Sequence, residues 1–462
     1  MRYRSRVACV YLLGFFVDLI NMFIVNVAYP DVSRRLGASI GELAWVTNGY
    51  ILGLTLVIPI SGWLAGRFGF RRIFLLSILL FICGTALAAQ AQSVFALIGW
   101  RVLQGVGGGL LIPIGQTMTY QLYRTDERAK LSAVIMLVGL LAPALSPSLG
   151  GIVVDNLSWR WIFIINLPLA GLTLFLAALW LRDTPRVQST RGLDLLGLIM
   201  ACLSLLLVLM GLTRLGEPQQ HAQGLTALLA GGALMYCYVR RSLHQSYPLL
   251  NLRLLQQPVL RAAILVYQFI PGIFIGVSLV AMLYMQNRLA MSASQAGMLM
   301  LPWALASFVA ISLTGKTFNR LGPRPLLLVG CLLQAIGIFL LTQLTASEQW
   351  AMQALAFALM GFGGSLSSST AQSSAFIDID NEQLADASAL WNINRQLSFC
   401  LGTAALSLLL NVLLAQSGGL YQHAYRLCFY AATVISLVPL LFLFRLPNRA
   451  ILEKIHLSQR SK

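Results

Sequence analysis

The chain has 462 residues, of which 58% are hydrophobic and only 10% are charged, and its formal net charge is +17. A soluble chain of this size carries roughly 25% charged residues, so the composition excludes a soluble globular protein. The apolar residues fall in runs of about 20, and a helix of that length crosses about 30 Å of hydrocarbon. The sequence therefore predicts an all-α integral membrane protein.

The apolar runs divide into fourteen predicted spans, with two of them ambiguous. They lie near residues 7–29, 43–64, 73–92, 94–118, 132–154, 159–181, 194–213, 223–239, 260–286, 295–314, 326–345, 350–372, 387–413 and 424–444. The seventh and eighth are either two full crossings or one interfacial hairpin. The remaining twelve form two sets of six, so we predict a first bundle at 1–182, a linker with two additional helices at 183–259, and a second bundle with its tail at 260–462.

Most of the 32 lysine and arginine residues fall in the loops that alternate on one side of these spans. Basic loops stay in the cytoplasm, so we predict a multi-pass protein of the cell (inner) membrane with both termini cytoplasmic. The same bias explains the net charge, which indicates contact with anionic lipid and not with nucleic acid. The acidic stretch Asp378–Glu382 breaks the pattern. It either pairs with the basic loops or is simply solvated.

The first span contains Asp18, the one acidic residue that lies well inside a predicted span. A carboxylate at such depth is expensive, so it should face the bundle interior, and there it is suited to carry a proton. Asn21 and Met22 follow at three and four positions and share the face of Asp18. A purely structural carboxyl, hydrogen-bonded to neighbouring helices, would give the same pattern.

Spans two and three are joined by a short basic turn that returns in altered form between spans ten and eleven. Internal similarity at a long offset is typical of two duplicated halves. The first copy contains Gly62, Arg67, Gly69, Arg71 and Arg72, and the second contains Gly315, Arg320, Gly322 and Arg324 in matching positions. Glycine permits the sharp turn and arginine holds it at the membrane surface. One copy alone would equally be an ordinary basic, glycine-rich cytoplasmic loop, but two copies in register favour a duplicated unit.

The fourth span opens with Arg101 and Gln104, followed by Gly105 and Gly109 on one helix face. The small residues allow close approach of a neighbouring helix. A buried arginine stays charged and needs a partner, and we expect Asp18 to be that partner, directly or through water. The alternative is that Arg101 extends to the membrane surface.

The fifth span is rich in residues that bend or pack a helix. They are Gly139, Pro143, Pro147, Gly150 and Gly151. Each proline removes a backbone hydrogen bond, so a helix that bends or seals a leak path is predicted, with plain packing as the alternative. After it, Trp159 and Trp161 flank Arg160, a pattern that predicts an anchor at the lipid headgroups.

In the second half, polar side chains inside spans nine and thirteen are candidates to line a central cavity. They are Tyr267, Gln268, Asn392, Asn394, Arg395 and Gln396. Helix–helix hydrogen bonds would account for them equally. The chain has no phosphate-binding loop of the Walker type and no His or Cys cluster with metal-ligand spacing. We therefore expect no cofactor, no metal and no enzymatic activity.

Together these stretches resemble the major facilitator superfamily, in its fourteen-span drug:proton antiporter branch of the EmrB/QacA type. The basic turns are similar to its loop signature, and this resemblance implies that both are gating loops. Arg101–Gly109 is similar to its fourth-span signature, and Ala142–Gly151 to its fifth-span antiporter signature. Trp159–Pro168 is the most branch-specific piece. Ile24–Pro30, with Asn26 as a further cavity candidate, resembles the end of the first span.

The resemblance implies a major facilitator fold of two pseudo-symmetric six-helix bundles with two extra helices. It implies a secondary transporter that exports amphipathic or cationic organic compounds by alternating access, with Arg101 in proton coupling. The carboxylate that we expect to carry the proton with it is Asp18. Its partners would be a small-molecule substrate, protons and the bilayer. A monomer is expected, and nothing in the sequence indicates whether a periplasmic adaptor binds.

Three positions depart from the family pattern. The family usually has aspartate where this chain has Asn21 and Gly66, and glycine where it has Ser146. The aspartate of the loop signature is thought to help lock the cytoplasmic gate. Its absence at Gly66 leads to the hypothesis of a resting state shifted toward inward-open.

Other functions remain open from the sequence. One is a dedicated exporter of an endogenous metabolite such as a siderophore, and another is an uptake symporter of the same fold. A membrane sensor would need a sizeable soluble output domain, and no loop is long enough to hold one.

Overall fold

The computed structural model describes residues 2–38, 40–182, 194–215, 220–245, 248–291, 293–416 and 421–460, and every regular element in these ranges is a helix. Fourteen long helices match the predicted spans one for one. The first seven are α1 (Tyr3–Ile24), α2 (Trp45–Phe68), α3 (Phe70–Ala89), α4 (Val94–Gln121), α5 (Thr125–Asn156), α6 (Trp161–Trp180) and α7 (Leu195–Leu215). The others are α8 (His221–His244), α9 (Pro258–Asn287), α10 (Gln295–Leu321), α11 (Pro323–Leu341), α12 (Trp350–Ala375), α13 (Leu384–Gln416) and α14 (Tyr421–Leu443).

Two short α-helices, besides 3-10 turns such as Leu252–Gln256, lie outside this set in the described ranges. Tyr29–Leu36 follows α1, and Asn448–Arg460 follows α14 near the end of the chain. Within α2, a 3-10 turn at Ile58–Ile60 interrupts the α-helical pattern. Short breaks of this kind let one crossing change direction without ending.

Thirteen of the fourteen helices are long and apolar enough to cross a membrane, counted over the described ranges. The exception is α12, whose 26 residues suffice in length but include the polar run Ser365–Ser374. α12 is packed by α5, α9, α10 and α11, and this polar run is buried. A helix surrounded by protein has no lipid-facing surface to keep apolar, so polar residues are tolerated there.

The helices pack in a similar way in both halves of the chain. In the first half, α4 packs against α1, α2 and α3, and α6 packs against α1 and α3. In the second half, α12 packs against α9, α10 and α11, and α14 packs against α9 and α11. α7 and α8 pack on each other, and α7 also touches α2 and α13. Both are long enough to cross, which favours two crossings over one interfacial hairpin.

The two basic turns share an unusual backbone conformation. Gly69 has φ of +92° between α2 and α3, and Gly322 has φ of +77° between α10 and α11. These values are strained for residues with a Cβ, so glycine is needed at the equivalent point of each copy. The internal repeat read from the sequence therefore corresponds to a repeated structure.

One end of the bundle collects both chain termini and many arginines, and we call it the basic end. It comprises the loops around Gly69, Arg124, Gly322 and Asp378, together with the helix Asn448–Arg460. A continuous series of contacts joins them: Arg182 N to Tyr3 Oη, Arg4 to Glu127, Asn319 to the Asp126 carbonyl, and Arg324 N to Asn448 Oδ1. At this end the two halves are in direct contact.

Candidate functional site

Asp18 lies in the interior of the first half, with 1% of its surface exposed. The Tyr50 hydroxyl donates a hydrogen bond to its Oδ1 atom. Its Oδ2 atom is buried and has no hydrogen-bond partner among the residues that the structure describes. The carboxyl therefore faces protein, as the sequence predicted, and it retains one oxygen that can accept a proton or a ligand donor.

Arg101 occupies the centre of the same polar cluster and is fully buried. Its Nη1 atom donates to Asn21 Oδ1 and to Gln104 Oε1, each at 2.6 Å, and its Nε atom donates to the Val46 carbonyl at 3.2 Å. Gln104 in turn donates to Thr85 Oγ1 at 2.7 Å. Burial excludes the alternative in which Arg101 reaches the membrane surface in this conformation.

Arg101, for which a direct or water-mediated pairing with Asp18 was expected, is related to Asp18 through Tyr50 in the described contacts. The Arg101 guanidinium lies 4.3 Å from the centre of the Tyr50 ring, and the hydroxyl of that ring bonds Asp18. Asn21, which bonds Arg101, lies one helical turn from Asp18. The described contacts thus relate the two charged groups through Tyr50, with a cation–π contact to Arg101 on one side and a hydrogen bond to Asp18 on the other.

Close packing of α2 on α4 creates this arrangement. A Cβ added to Gly105 would lie 2.0 Å from the Tyr50 carbonyl oxygen, and one added to Gly53 would lie 2.1 Å from the Val102 carbonyl oxygen. Only glycine permits such a backbone approach. As a result the Tyr50 side chain reaches both Asp18 and Arg101.

Tyr50 and Thr85 were not among the residues singled out from the sequence. A tyrosine or threonine inside an apolar run is compatible with ordinary packing, and neither residue carries a charge that would demand an explanation. The available signal for Tyr50 was its position between Gly49 and Gly53, which marks a face of α2 in close contact with another helix.

Some polar residues of the second half bond each other, and others bond the first half. Gln268 Nε2 donates to Asn394 Oδ1 at 2.6 Å, so these two side chains bond α9 to α13. Asn392 Nδ2 donates to Gln116 Oε1 at 2.7 Å, which bonds α13 to α4 across the two halves. The ring of Tyr267 packs edge-on against Trp391 at 4.9 Å.

The remaining cavity candidates occupy different environments. Arg395 and Gln396 are buried on α13, and the Arg395 guanidinium lies 5.3 Å from the centre of the Phe15 ring on α1. Met22 is half-buried near Tyr50 at the junction of the halves. The side chain of Asn26 lies outside the described part of the structure.

The glycines that open the two basic turns meet the opposite half in equivalent ways. A Cβ added to Gly62 would lie 3.6 Å from Asp386 Oδ1 at the start of α13. One added to Gly315 would lie 2.9 Å from the Ala133 Cβ near the start of α5. Each repeat thus packs against the helix of the other half that begins at the basic end.

The arginines of the turns lie at the surface of the basic end. Arg71 donates to the Ala178 carbonyl at 3.0 Å, and Arg67 lies over the Trp63 ring at 5.6 Å. Arg324 lies over the Phe444 ring at 5.7 Å. Arg72 and Arg320, the other arginines of the two turns, are exposed.

α5 is one continuous helix through its two prolines. Gly139 faces Phe15 of α1, and Gly150 is buried. The side chains of Pro143 and Pro147, and the surroundings of Gly151, lie outside the described part of the structure. The bending of this helix, expected from its prolines, stays a prediction.

The expected headgroup anchor at Trp159 is wrong. Trp159 is fully buried, and its backbone N–H donates to Asp31 Oδ2 at 3.2 Å. Arg160 stacks on the Trp159 ring at 4.6 Å and donates to the Ala91 carbonyl. Of the two tryptophans, only Trp161 is exposed, so the segment holds α3, α5 and the loop after α1 together instead of anchoring them to lipid.

A contact that the sequence did not predict joins the halves at the basic end. Arg128 of α5 is 5% exposed and donates from Nη1 to the Phe376 carbonyl at 2.5 Å and from Nη2 to Asn381 Oδ1 at 3.3 Å. Lys454 donates to Asp378 of the same loop at 2.8 Å. The acidic stretch therefore pairs with basic residues, the first of the two alternatives.

Comparison with known proteins places these features in a family. The family model described as Major Facilitator Superfamily matches residues 11–403. "Multidrug resistance protein B homolog" of Mycobacterium tuberculosis is 31% identical over 413 residues, covering 88% of this chain and 76% of that protein. "Lincomycin resistance protein LmrB" of Listeria monocytogenes is 27% identical over 395 residues, covering 85% of this chain and 84% of that protein.

A solved structure shows the same architecture at low sequence identity. The human organic anion transporter MFSD10 (TETRAN) superposes with a TM-score of 0.68 over 96% of this chain and 100% of that chain, at 16% identity. A likeness at this identity concerns the fold alone.

Proposed function

Because the chain belongs to the major facilitator superfamily, we propose that it is a proton-coupled secondary transporter that exports amphipathic or cationic organic compounds from the cytoplasm. The observation that carries the proposal is the buried carboxyl of Asp18, which has one unpartnered oxygen inside a polar cluster of the first bundle. The names of the resistance proteins that it resembles support efflux of several compounds.

The distribution of arginine supports the orientation. The basic end holds both termini and the two repeated turns, so it is the cytoplasmic side of the inner membrane. In this orientation the structure is the state closed to the cytoplasm. Arg128 and the loop after α12 join the halves at this end without an aspartate at position 66, and the inward-open resting state stays a hypothesis.

Asp18 is the proposed proton carrier, and its neighbours set when it releases the proton. In the state closed to the cytoplasm, Asp18 accepts a proton that enters from outside. When the basic end opens, the movement of α2 and α4 changes the distance from Tyr50 and Arg101 to the carboxyl, and the proton leaves to the cytoplasm. A cationic substrate binds the deprotonated carboxylate, so proton and substrate compete for one site, which produces antiport.

Proteoliposomes with an internal pH dye test the proposal, with ethidium as the driving substrate. Wild-type protein is expected to exchange protons for ethidium, and Asp18→Asn is expected to lose the exchange while Asp18→Glu keeps part of it. Glu348→Gln removes an exposed carboxylate and serves as the matched control. If Asp18→Asn exchanges protons at the wild-type rate, Asp18 is not the carrier.

A further inference from the structure

One face of α13 carries several buried polar atoms without hydrogen bonds in the described residues. They are Ser388 Oγ, Trp391 Nε1, Asn392 Oδ1 and Arg395 Nη2. Their spacing of three, one and three residues puts all four on a single helix face. Buried polar groups in native proteins are nearly always bonded, so a run of four on one face indicates a place prepared for a ligand.

Arg395 is the charged member of this face. Its exposed fraction is 9%, and its described neighbour is the apolar ring of Phe15 on the first half. A buried guanidinium stays protonated and is costly without an acceptor. The face therefore needs a hydrogen-bond acceptor, and an anionic one satisfies it best.

The opposite charge is available a short distance away on α1. Asp18 follows Phe15 by one helical turn, a rise of roughly 5 Å, and its Oδ2 atom also has no described hydrogen-bond partner. No ion pair joins Asp18 and Arg395 in the described part of the chain. An unfilled acceptor on one half thus lies near an unfilled donor on the other.

Aromatic rings surround the donor groups of α13. Trp391 packs edge-on against Tyr267 at 4.9 Å and against Phe376 at 6.2 Å, and Phe15 lies under Arg395. Such walls suit a flat aromatic ring system. A simple lipophilic cation would satisfy Asp18 but would leave Arg395 without an acceptor and repel it.

We propose that the preferred substrates are zwitterionic aromatic compounds, which place a cationic group at Asp18 and a carboxylate or similar acceptor at Arg395 and the Trp391 N–H. This assignment rests on the proposed export function and narrows its substrate class. The cationic group still competes with the proton at Asp18, so the antiport scheme is retained. The carboxylate bridges the first half to the second.

Two dyes that differ only at the carboxyl group test the assignment. Rhodamine B is zwitterionic at neutral pH, and its ethyl ester is a cation with the same ring system. Fluorescence anisotropy on purified full-length protein gives the dissociation constant of each. Wild-type protein is expected to bind rhodamine B about tenfold more tightly than the ester, the effect of one desolvated charge pair.

The variants separate the charge of Arg395 from its role in packing. Arg395→Gln is expected to weaken binding of rhodamine B about tenfold. Because the repulsion of the cation is lost, the variant should bind the ester at least as tightly as wild type, so ester binding also reports that the fold is intact. Arg395→Lys should keep part of the preference. Arg261→Gln removes an exposed arginine of α9 and should behave as wild type.

The outcomes distinguish this proposal from the export function itself. Equal affinity of wild-type protein for both dyes, failure to bind either dye, or equal weakening of both by Arg395→Gln would overturn the substrate assignment. Proton exchange with ethidium would then still stand on its own measurement. Conversely, if wild-type protein prefers rhodamine B and Asp18→Asn exchanges protons normally, the substrate assignment stands but Asp18 is not the proton carrier.

Discussion

Arg128 offers the sharpest test of how the basic end stays closed. Three of its hydrogen bonds cross from the first half to the second, to the carbonyls of Phe376 and Ile379 and to Asn381 Oδ1, at 2.5, 3.5 and 3.3 Å. Arg128→Gln keeps a polar side chain but removes the charge and the reach. We expect the closed state to lose stability relative to the open one.

The magnitude follows from the bond lengths. A hydrogen bond from a charged donor contributes about 1.5–3 kcal/mol. We count the 2.5 Å bond in full and the two longer bonds as minor. Their loss then shifts the free-energy difference between the closed and open states by about 2–3 kcal/mol. This corresponds to about a 30- to 150-fold change in the ratio of closed to open protein.

Distance measurement between spin labels reads this ratio directly. Phe68 and Leu321 are exposed at equivalent ends of α2 and α10, one in each half, and accept labels in a background without native cysteines. Arg128→Gln should add a longer distance that wild-type protein lacks. Lys130→Gln is the control, because Lys130 lies on the same helix as Arg128 and its side chain is exposed.

The refuting result is equally clear. If Arg128→Gln and wild type give the same distance distribution, Arg128 does not hold the basic end closed. The other contacts between the halves at this end, such as that from Asn319 to the Asp126 carbonyl, would then carry the closure.

Two further changes probe the site and the packing that builds it. Tyr50→Phe removes the described donor to Asp18, at a cost of about 1–3 kcal/mol to the charged carboxyl, so proton exchange should slow while the melting temperature changes little. An unchanged exchange rate would show that the hydroxyl is not involved. Gly105→Ala forces α2 away from α4 and should destabilise the protein by about 1–3 kcal/mol in a thermal unfolding assay. Gly99→Ala, on the same helix with open space around it, should leave the melting temperature unchanged, and equal effects of the two would contradict the packing argument.

The membrane helices could be read from the sequence because a bilayer imposes a local requirement. Each crossing must satisfy its own backbone and present apolar side chains over about 20 residues, and both conditions are visible without knowing the neighbours. α12 shows the limit of this reasoning. Its run Ser365–Ser374 is tolerated only because other helices cover it, and that coverage is a tertiary property.

The candidate site was predictable where a charge lies at an unusual depth. Asp18 and Arg101 were identified for that reason, and both are buried in one cluster. The groups that connect them were not identified, because Tyr50 and Thr85 are ordinary residues for a packed span. Their roles depend on the approach of α2 and α3 to α4.

The interpretation of Trp159 failed for a related reason. Tryptophan beside arginine is typical of the headgroup level, and the local pattern contains nothing against that reading. The structure instead buries Trp159 beneath Arg160 and bonds its backbone to Asp31, far away in sequence. Only the packing of distant helices separates an anchored tryptophan from a buried one.

The sequence by itself determined the membrane location, the number of long helices and the duplicated turns, since hydrophobic length and the need for glycine at positive φ act within a few residues. The tertiary structure decided which polar atoms meet and which remain unfilled. Contacts between residues from separate helices decide three features: the partner of Asp18, the bonds of Arg128 between the halves, and the buried polar face of α13. Such contacts leave no local trace, because any apolar helix can pack beside any other until the shapes of both surfaces are known.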